Sequence, residues 1–307
     1  MHRSQHPKIR KRQLEDTRRL HAVASNNIRM QKIQPRGIVL DGRILAEKIR
    51  KEIKTALHSK EAGYTERPGL AAILVGDDPA SHVYVRLKEK AAQEVGIHFH
   101  RYACSATTSQ HILEEVIDFL NADESIHGIL VQLPLPKGLD ENAIIQRIDP
   151  RKDADGFHKR TSVLSPPLAA TVRFLQETKL PLKNKRAVCI VNSEIFGKGL
   201  THALRQVGLR VATASPQDPL LGKKTLTADV LVTAVGKANL LKTSMVKDGA
   251  VVIDIGTTHC RGKTVGDVDF KNVQPKASFI TPVPGGIGPM TVAYLLHNTY
   301  TLWKKEK

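Results

Sequence analysis

Gly69-Leu-Ala-Ala-Ile-Leu-Val75, followed by Gly76-Asp-Asp-Pro-Ala-Ser81, decides the fold class of this 307-residue chain. An unbroken apolar run closed by a Gly/Asp/Pro turn reads as a short strand buried on both faces. Ser81 can cap a helix that runs through Val95, and Gly96 stops it. Outward from there, Phe99–Ala103 reads as a second strand, 108–121 as a helix, Gly128-Ile-Leu-Val-Gln-Leu-Pro134 as a third strand and 140–148 as a short helix. Upstream, residues 42–62 place Ile44, Leu45, Ile49, Ile53 and Leu57 on one helical face. Strands joined by helices through short connections predict a parallel sheet.

The pattern turns loop-like over Asp155–Ser165, a candidate domain boundary, and helical again over 166–179. Arg186-Ala-Val-Cys-Ile-Val191 then opens a second α/β series, with later strands at Arg210–Ala214, Val230–Thr233, Val251–Ile255 and Ala277–Ile280. The expected fold is α/β: two three-layer domains, the second a Rossmann-type doubly wound sheet. A final helix over 291–304 is expected to pack back on the first domain, which would make that domain discontinuous.

Composition narrows the function. Apolar residues make up 41% of the chain and aromatics only 4%, so its cores are aliphatic. The formal charge is +17, of which residues 1–29 supply +6 and the rest +11. A basic body suits an anionic ligand such as a phosphorylated cofactor or a polycarboxylate. Zinc-type spacing, an RRM-like aromatic motif and a concentrated basic helix beyond the N-terminal arm are absent from the sequence, which argues against specific nucleic-acid binding. Cys104, Cys189 and Cys260 are odd in number and far apart, so a disulfide framework is not expected and a reducing compartment is. No apolar run reaches membrane-spanning length. The arm at 1–29 has no apolar h-region; it reads as a disordered basic extension in a cytoplasmic protein, or as a mitochondrial or plastid transit peptide, against which Glu15 and Asp16 count.

Four stretches carry chemistry. Tyr84 and Lys88, at i and i+4, share a helix face and offer a flat ring beside a proton-transfer or electrostatic group; a packed tyrosine next to a surface lysine gives the same spacing. Gln132 stands late in the third strand, where polar side chains of a parallel sheet face the ligand crevice, although a satisfied core amide would sit there too. Lys152-Asp-Ala-Asp-Gly-Phe157 sets two carboxylates at i and i+2, suited to a metal, to an amino-heterocycle or to a plain turn; the sequence offers no further ligands close by for a metal. Thr281-Pro-Val-Pro-Gly-Gly-Ile-Gly-Pro-Met-Thr291 packs three glycines and three prolines into a stiff, bulk-free loop that can bring backbone against a flat or anionic ligand.

Taken in order, Ser81–Lys88, Gly128-Ile-Leu-Val-Gln-Leu-Pro-Leu-Pro136, Lys152–Phe157, Gly266-Asp-Val-Asp-Phe270 and Thr281–Thr291 resemble the bifunctional methylenetetrahydrofolate dehydrogenase/cyclohydrolase family. The resemblance runs from about Ile38 to the end. It implies NADP-dependent oxidation of 5,10-methylenetetrahydrofolate and hydrolysis of the methenyl product to 10-formyltetrahydrofolate. It implies Lys88, Gln132 and Asp155 as catalytic residues. Substrate would contact Tyr84, Lys88, Val131, Gln132, Leu133, Asp155, Pro284, Gly285 and Gly286. The cofactor would contact Val191, Asn192, Ser193, Ile195, Gly197, Pro216, Gly236 and Thr257. By the same resemblance the partners are tetrahydrofolate derivatives, polyglutamylated forms included, and a second copy of the chain in a homodimer; no metal is implied. The folate-binding catalytic domain would span 30–157 with 287–307, and the NAD(P)-binding domain 158–286.

The chain departs from the family pattern on the cofactor side. The family's Gly-Arg-Ser-x-Ile-Val-Gly-x-Pro stands here as Val191-Asn-Ser-Glu-Ile-Phe-Gly-Lys-Gly199. Val191 replaces the glycine that permits the tight turn, and Asn192 replaces an arginine suited to the ribose 2′-phosphate. A Cys-His-Ser segment becomes Ala214-Ser215-Pro216, with Lys223 and Lys224 as candidate substitutes. A Pro-Cys-Thr-Pro-x-Gly segment becomes Pro166-Pro-Leu-Ala-Ala-Thr171, and Thr257-Thr258 stand where Ile-Asn is common. Three expectations follow: a bifunctional enzyme using NADP or NAD, a cyclohydrolase without strong dinucleotide use, or a non-catalytic folate-binding relative.

Overall fold

The computed structural model describes residues 37–59, 66–260 and 262–306, and the expectations for the arm at 1–29 and for residues 60–62 lie outside them. Two parallel sheets organise the described chain. The smaller holds β2 (Gly69–Val75), β3 (His98–Cys104) and β4 (Gly128–Val131) in the order β3-β2-β4, all parallel. Every residue of β2 is buried, as its unbroken apolar run requires of a central strand. Helices α1 (Gly42–His58), α2 (Pro79–Val95), α3 (Gln110–Ala122) and α4 (Glu141–Arg147) connect and flank these strands. The cap of α2 is Asp78 rather than Ser81: the Asp78 carboxylate accepts from the Ser81 N–H at 2.8 Å, and Pro79 occupies the first turn, where its missing N–H costs nothing.

The larger sheet contains β5 (Arg186–Val191), β6 (Arg210–Ala214), β7 (Val230–Ala234), β8 (Val251–Asp254), β11 (Phe279–Ile280) and β1 (Ile38–Val39) in the order β1-β11-β8-β7-β5-β6, again all parallel. Helices α5 (Pro166–Glu177), α6 (Glu194–Gln206), α7 (Leu221–Thr225) and α8 (Phe270–Val273) accompany it. The winding therefore reverses between β5 and β7, and the strand ends there open a crevice, the usual ligand position in a doubly wound sheet. Between β8 and β11 the chain adds an antiparallel hairpin, β9 (Thr258–Cys260) with β10 (Lys263–Val265), which apolar periodicity does not announce. The strand β1 joins the larger sheet although its residues fall within the first domain as read from sequence.

The last helix, α9 (Ile287–Glu306), begins four residues before the expected start. Gly288 and Pro289 are helical because the first turn needs no intrahelical N–H donors. It packs on α1 and α5 and also touches α2 and β4, with Met290, Leu295, Leu296, Leu302 and Trp303 buried. Full burial of such side chains is worth about 1.5–3 kcal/mol each. Asn298 Nδ2 donates to the carbonyls of Ala154 and Leu164, both at 2.9 Å, so the helix also holds the segment joining the two sheets.

Candidate active site

A cavity of about 630 Å³ lies among α1, α2, the end of β8 and the Gly/Pro segment before α9. Tyr84, Leu87 and Lys88 line it from α2, Arg43 and Arg50 from α1, Asp254, Ile255 and Thr257 from the end of β8, and Pro282 to Pro289 from the far side. The Gly/Pro wall is seated on α1: the Gly42 N–H donates to the Gly285 carbonyl at 2.8 Å. A methyl at position 42 would fall on the Gly286 carbonyl, and Gly285 has φ +107°, which side-chain-bearing residues rarely adopt. Helix and loop can approach this closely only because both lack side chains there.

Lys88 is the chemical centre of this wall. Its Nζ donates to Gln132 Oε1 at 2.9 Å. Gln132 is placed by two bonds: its backbone N–H donates to the Ile73 carbonyl at 2.8 Å and its Nε2 to the Leu133 carbonyl at 2.7 Å. The amide is thereby oriented with its oxygen toward the lysine. Gln132 stands one residue beyond the end of β4, as a polar residue facing a crevice should.

The two acids of 153–155 divide their work. Asp153 is spent on the turn, accepting from Gly156 N–H at 3.0 Å and His158 N–H at 2.7 Å. Among the described residues no hydrogen bond engages the half-buried Asp155 carboxyl. Burial raises its proton affinity, the nearby Lys88 charge opposes that rise, and Asp153 adds to it. A carboxyl held between these influences can carry a hydrogen bond in either protonation state. Among the described residues no group of three or more His, Cys, Asp or Glu is arranged to hold a metal.

Tyr84, Lys88, Pro284, Gly285, Gly286 and Thr257 line the cavity, Gln132 reaches it through its bond to Lys88, and Asp155 lies within reach of the Lys88 charge. Val131, the last residue of β4, is buried in the core, and Leu133 contributes its carbonyl to Gln132. The remaining cofactor-side candidates do not line the cavity. They stand at the strand ends of the larger sheet: Val191 ends β5, with Asn192, Ser193, Ile195 and Gly197 following it, Pro216 follows β6 and Gly236 follows β7. Ser193 caps α6 by accepting from the Phe196 N–H at 3.3 Å, and this helix points its N-terminus at the crevice, an arrangement that favours phosphate. The side chain of Val191 sits where a Cβ on Gly197 would go, so the retained glycine makes room for the substituted valine. Asn192 Nδ2 donates to the Val235 carbonyl at 2.8 Å, bridging the ends of β5 and β7 across the crevice. These residues fit a dinucleotide at the strand ends.

Sequence reasoning missed Arg43, Arg50, Lys90 and Asp254, all of which line the cavity. The i, i+7 spacing of Arg43 and Arg50 on one face of α1 was the available signal; Asp254, closing an apolar strand, was another.

Two family descriptions match the chain in succession: tetrahydrofolate dehydrogenase/cyclohydrolase, catalytic domain, over residues 40–155, and the NAD(P)-binding domain of the same family over 166–307. The bifunctional protein FolD of Halothermothrix orenii is 43% identical over 279 residues, covering 86% of this chain and 96% of that protein. Among solved structures, the bifunctional FolD methylenetetrahydrofolate dehydrogenase/cyclohydrolase of Campylobacter jejuni is 40% identical with a TM-score of 0.83, covering 88% of this chain and 99% of that one. The Trypanosoma brucei enzyme, complexed with NADP cofactor and an inhibitor, is 34% identical with a TM-score of 0.84, covering 89% of this chain and 99% of that one. With two matched domains in the same order, and relatives matched over nearly their whole length, this chain belongs to the tetrahydrofolate dehydrogenase/cyclohydrolase family.

Proposed function

We infer that the chain is a bifunctional folate enzyme: it oxidises 5,10-methylenetetrahydrofolate with NADP and hydrolyses the resulting 5,10-methenyltetrahydrofolate to 10-formyltetrahydrofolate. The single observation that carries this reading is the Lys88–Gln132 hydrogen bond at 2.9 Å on the wall of a cavity shared by both halves of the chain. For the first reaction bound NADP would supply the acceptor for a hydride leaving the methylene carbon. In the second, water adds to the methenyl carbon; a C–O bond forms, the bond from that carbon to N5 breaks, one water proton goes to N5 and the other to solvent.

The chain's own residues supply binding and proton handling. Lys88 moves protons at the bridge, and Gln132 fixes the direction of its ammonium group. Asp155 holds the amino edge of the pterin, and Tyr84 stacks on the aromatic part of the substrate. Pro284, Gly285 and Gly286 form the opposite wall, where the absence of side chains lets backbone meet a flat ring. Arg43, Arg50 and Lys90 at the cavity's edge suit the anionic glutamate tail of a folate, polyglutamylated forms included. Ser193, Ile195 and Gly197 at the start of α6, with Asn192, Pro216, Gly236 and Thr257, would hold NADP. In this reading residues up to 157 together with α9 form the folate half, and 158–286 the cofactor half. The open edge strand β6 gives the cofactor half a surface for pairing two copies, which sedimentation would reveal as a dimer.

Two assays on the purified chain test the reading: oxidation of methylenetetrahydrofolate with NADP or NAD, and hydrolysis of methenyltetrahydrofolate without cofactor. Both activities are expected, with NADP preferred. Hydrolysis without oxidation would reduce the chain to a cyclohydrolase, and loss of both would overturn the enzymatic reading.

A further inference from the structure

Two buried carboxyls sit at the ends of β7 and β8, one of them, Asp254, at the cavity wall, and the roles proposed above use neither as an acid or base. Asp254, at the end of β8, is 2% exposed and Asp267 is 0% exposed. Asp267 Oδ2 accepts from the Thr233 hydroxyl at 2.7 Å and the Val235 N–H at 2.8 Å, and its Oδ1 accepts from the Lys237 N–H at 2.8 Å. Asp254 Oδ1 accepts from the N–H groups of Gly256 at 3.0 Å and Asp267 at 3.2 Å, and its Oδ2 from Val268 N–H at 2.9 Å. A methyl at Gly256 would fall on the Asp267 carboxyl and one at Gly266 on the Asp254 carboxyl, so both acids occupy space that glycines leave open.

Three segments converge on this pair: 235–237 after β7, 255–257 after β8, and 266–268. Each leaves backbone N–H groups at the end of a strand, where an unpartnered buried donor is costly. A carboxylate offers about four lone-pair sites, enough for several donors at once. Two carboxyls buried side by side are tolerated only where such donors surround them. The network reaches further: Val235, held through its N–H by Asp267, accepts through its carbonyl from Asn192. Asn192 is the residue that replaces the arginine of the family pattern. Its side chain is therefore part of a line running Asp254, Asp267, Val235, Asn192 across the crevice.

We propose that Asp267, seated on Asp254, is the positioning residue for dinucleotide binding in this chain, acting through Val235 on Asn192 and leaving water addition at the folate bridge untouched. This rests on the reading that NADP binds at the strand ends of the larger sheet. Among the described residues Lys88, Gln132 and Asp155 share no hydrogen bond with the network, so the two activities separate its influence from general damage.

The test compares the wild type with Asp267→Asn, Thr233→Val, Asn192→Ala and the Asp267→Asn/Asn192→Ala double variant. Asp267→Asn places an amide where a buried donor needs an acceptor; the Kd for NADP is expected to rise about tenfold or more, with cofactor-free hydrolysis of methenyltetrahydrofolate within about twofold. Thr233→Val removes one donor and is expected to raise it about threefold. Because Asp267 acts through Asn192, the double variant is expected to bind NADP no more than about twofold worse than the worse single variant. An unchanged Kd in Asp267→Asn, hydrolysis falling in step with NADP affinity, or full additivity in the double variant would overturn the proposal. If Asp267→Asn does not fold, Thr233→Val decides: an unchanged Kd, or hydrolysis lost together with NADP affinity, overturns it equally. A wild type that binds no NADP would instead overturn the functional reading on which the proposal rests.

Discussion

At Lys88 and at Asn192 the chain uses polar side chains in opposite ways. Among the described residues Lys88 is hydrogen-bonded to Gln132 alone, and it still lines the cavity. Asn192 gives its amide to the Val235 carbonyl, across the crevice where the sheet reverses. One side of the molecule offers groups to a ligand; the other draws its groups into the frame. Substitution has been absorbed on the framed side, where Val191 fills the space above Gly197 and Asn192 closes a bridge. A buried frame tolerates a new residue that finds a partner, whereas a proton-handling lysine has no substitute of the same reach and charge.

Breaking the offered side carries the largest expected effect. Lys88→Ala removes the group proposed to handle protons and is expected to lower hydrolysis by about 100- to 10,000-fold, with the Kd for NADP nearly unchanged; full hydrolytic activity in this variant would remove Lys88 from the mechanism. Asp155→Asn comes next. It keeps the shape and removes the charge, so kcat/KM for both folate substrates is expected to fall about 10- to 100-fold, and a loss confined to one reaction would contradict a role in holding the pterin. On the framed side, Asn192→Arg restores the residue of the family pattern. The ratio of kcat/KM for NADP over NAD is expected to rise about fivefold through a charge-assisted contact with the 2′-phosphate; an unchanged ratio would show that position 192 does not face that group.

The smallest effect concerns pH. Burial, with the Asp267 charge adding to it, raises Asp254 from 3.8 to about 7. Between those values the folded chain holds a proton that the unfolded chain has released. The associated stability is complete below about 3.8 and lost as pH rises to about 7. Asn cannot carry that proton. The melting temperature of Asp254→Asn relative to wild type is therefore expected to improve steadily from pH 4 to 7 and to level off above, and parallel pH profiles would contradict it.

Much of the frame could be read from residue order. Arg186–Val191 is a strand with the bounds its apolar run implies, because a strand inside a parallel sheet needs continuous apolar character, and the edge strand Arg210–Ala214 also keeps its expected bounds. Tyr84 and Lys88 were legible from helical spacing, and Gln132 from its place at a strand end. Ile38–Val39 was not: two residues carry no periodicity, and their partners Phe279 and Ile280 are distant in sequence. The helical start at Ile287 was hidden by Pro289, which looks like a breaker until it falls within a first turn. Asp254 and Asp267 were invisible as a pair, since nothing local tells that two acids thirteen residues apart are joined, the Asp267 N–H donating to the Asp254 carboxyl.

The pairing of β1 with β11 also sets an order of assembly. Gln274 Nε2 donates to the Gly37 carbonyl across 237 residues, and Ile38 lies beside Phe279. As the chain is synthesised, the outermost strand of the larger sheet emerges first, and the neighbour it needs emerges after every other strand. The folate half waits similarly for α9, whose Trp303 and Leu302 fill its core. Both halves are thus closed by the same stretch of polypeptide, which couples their completion in time. A ribosome that pauses before residue 279 holds a larger sheet without the strand that receives β1 and a smaller sheet without its covering helix, and contacts of such long sequence separation make the final closure slow.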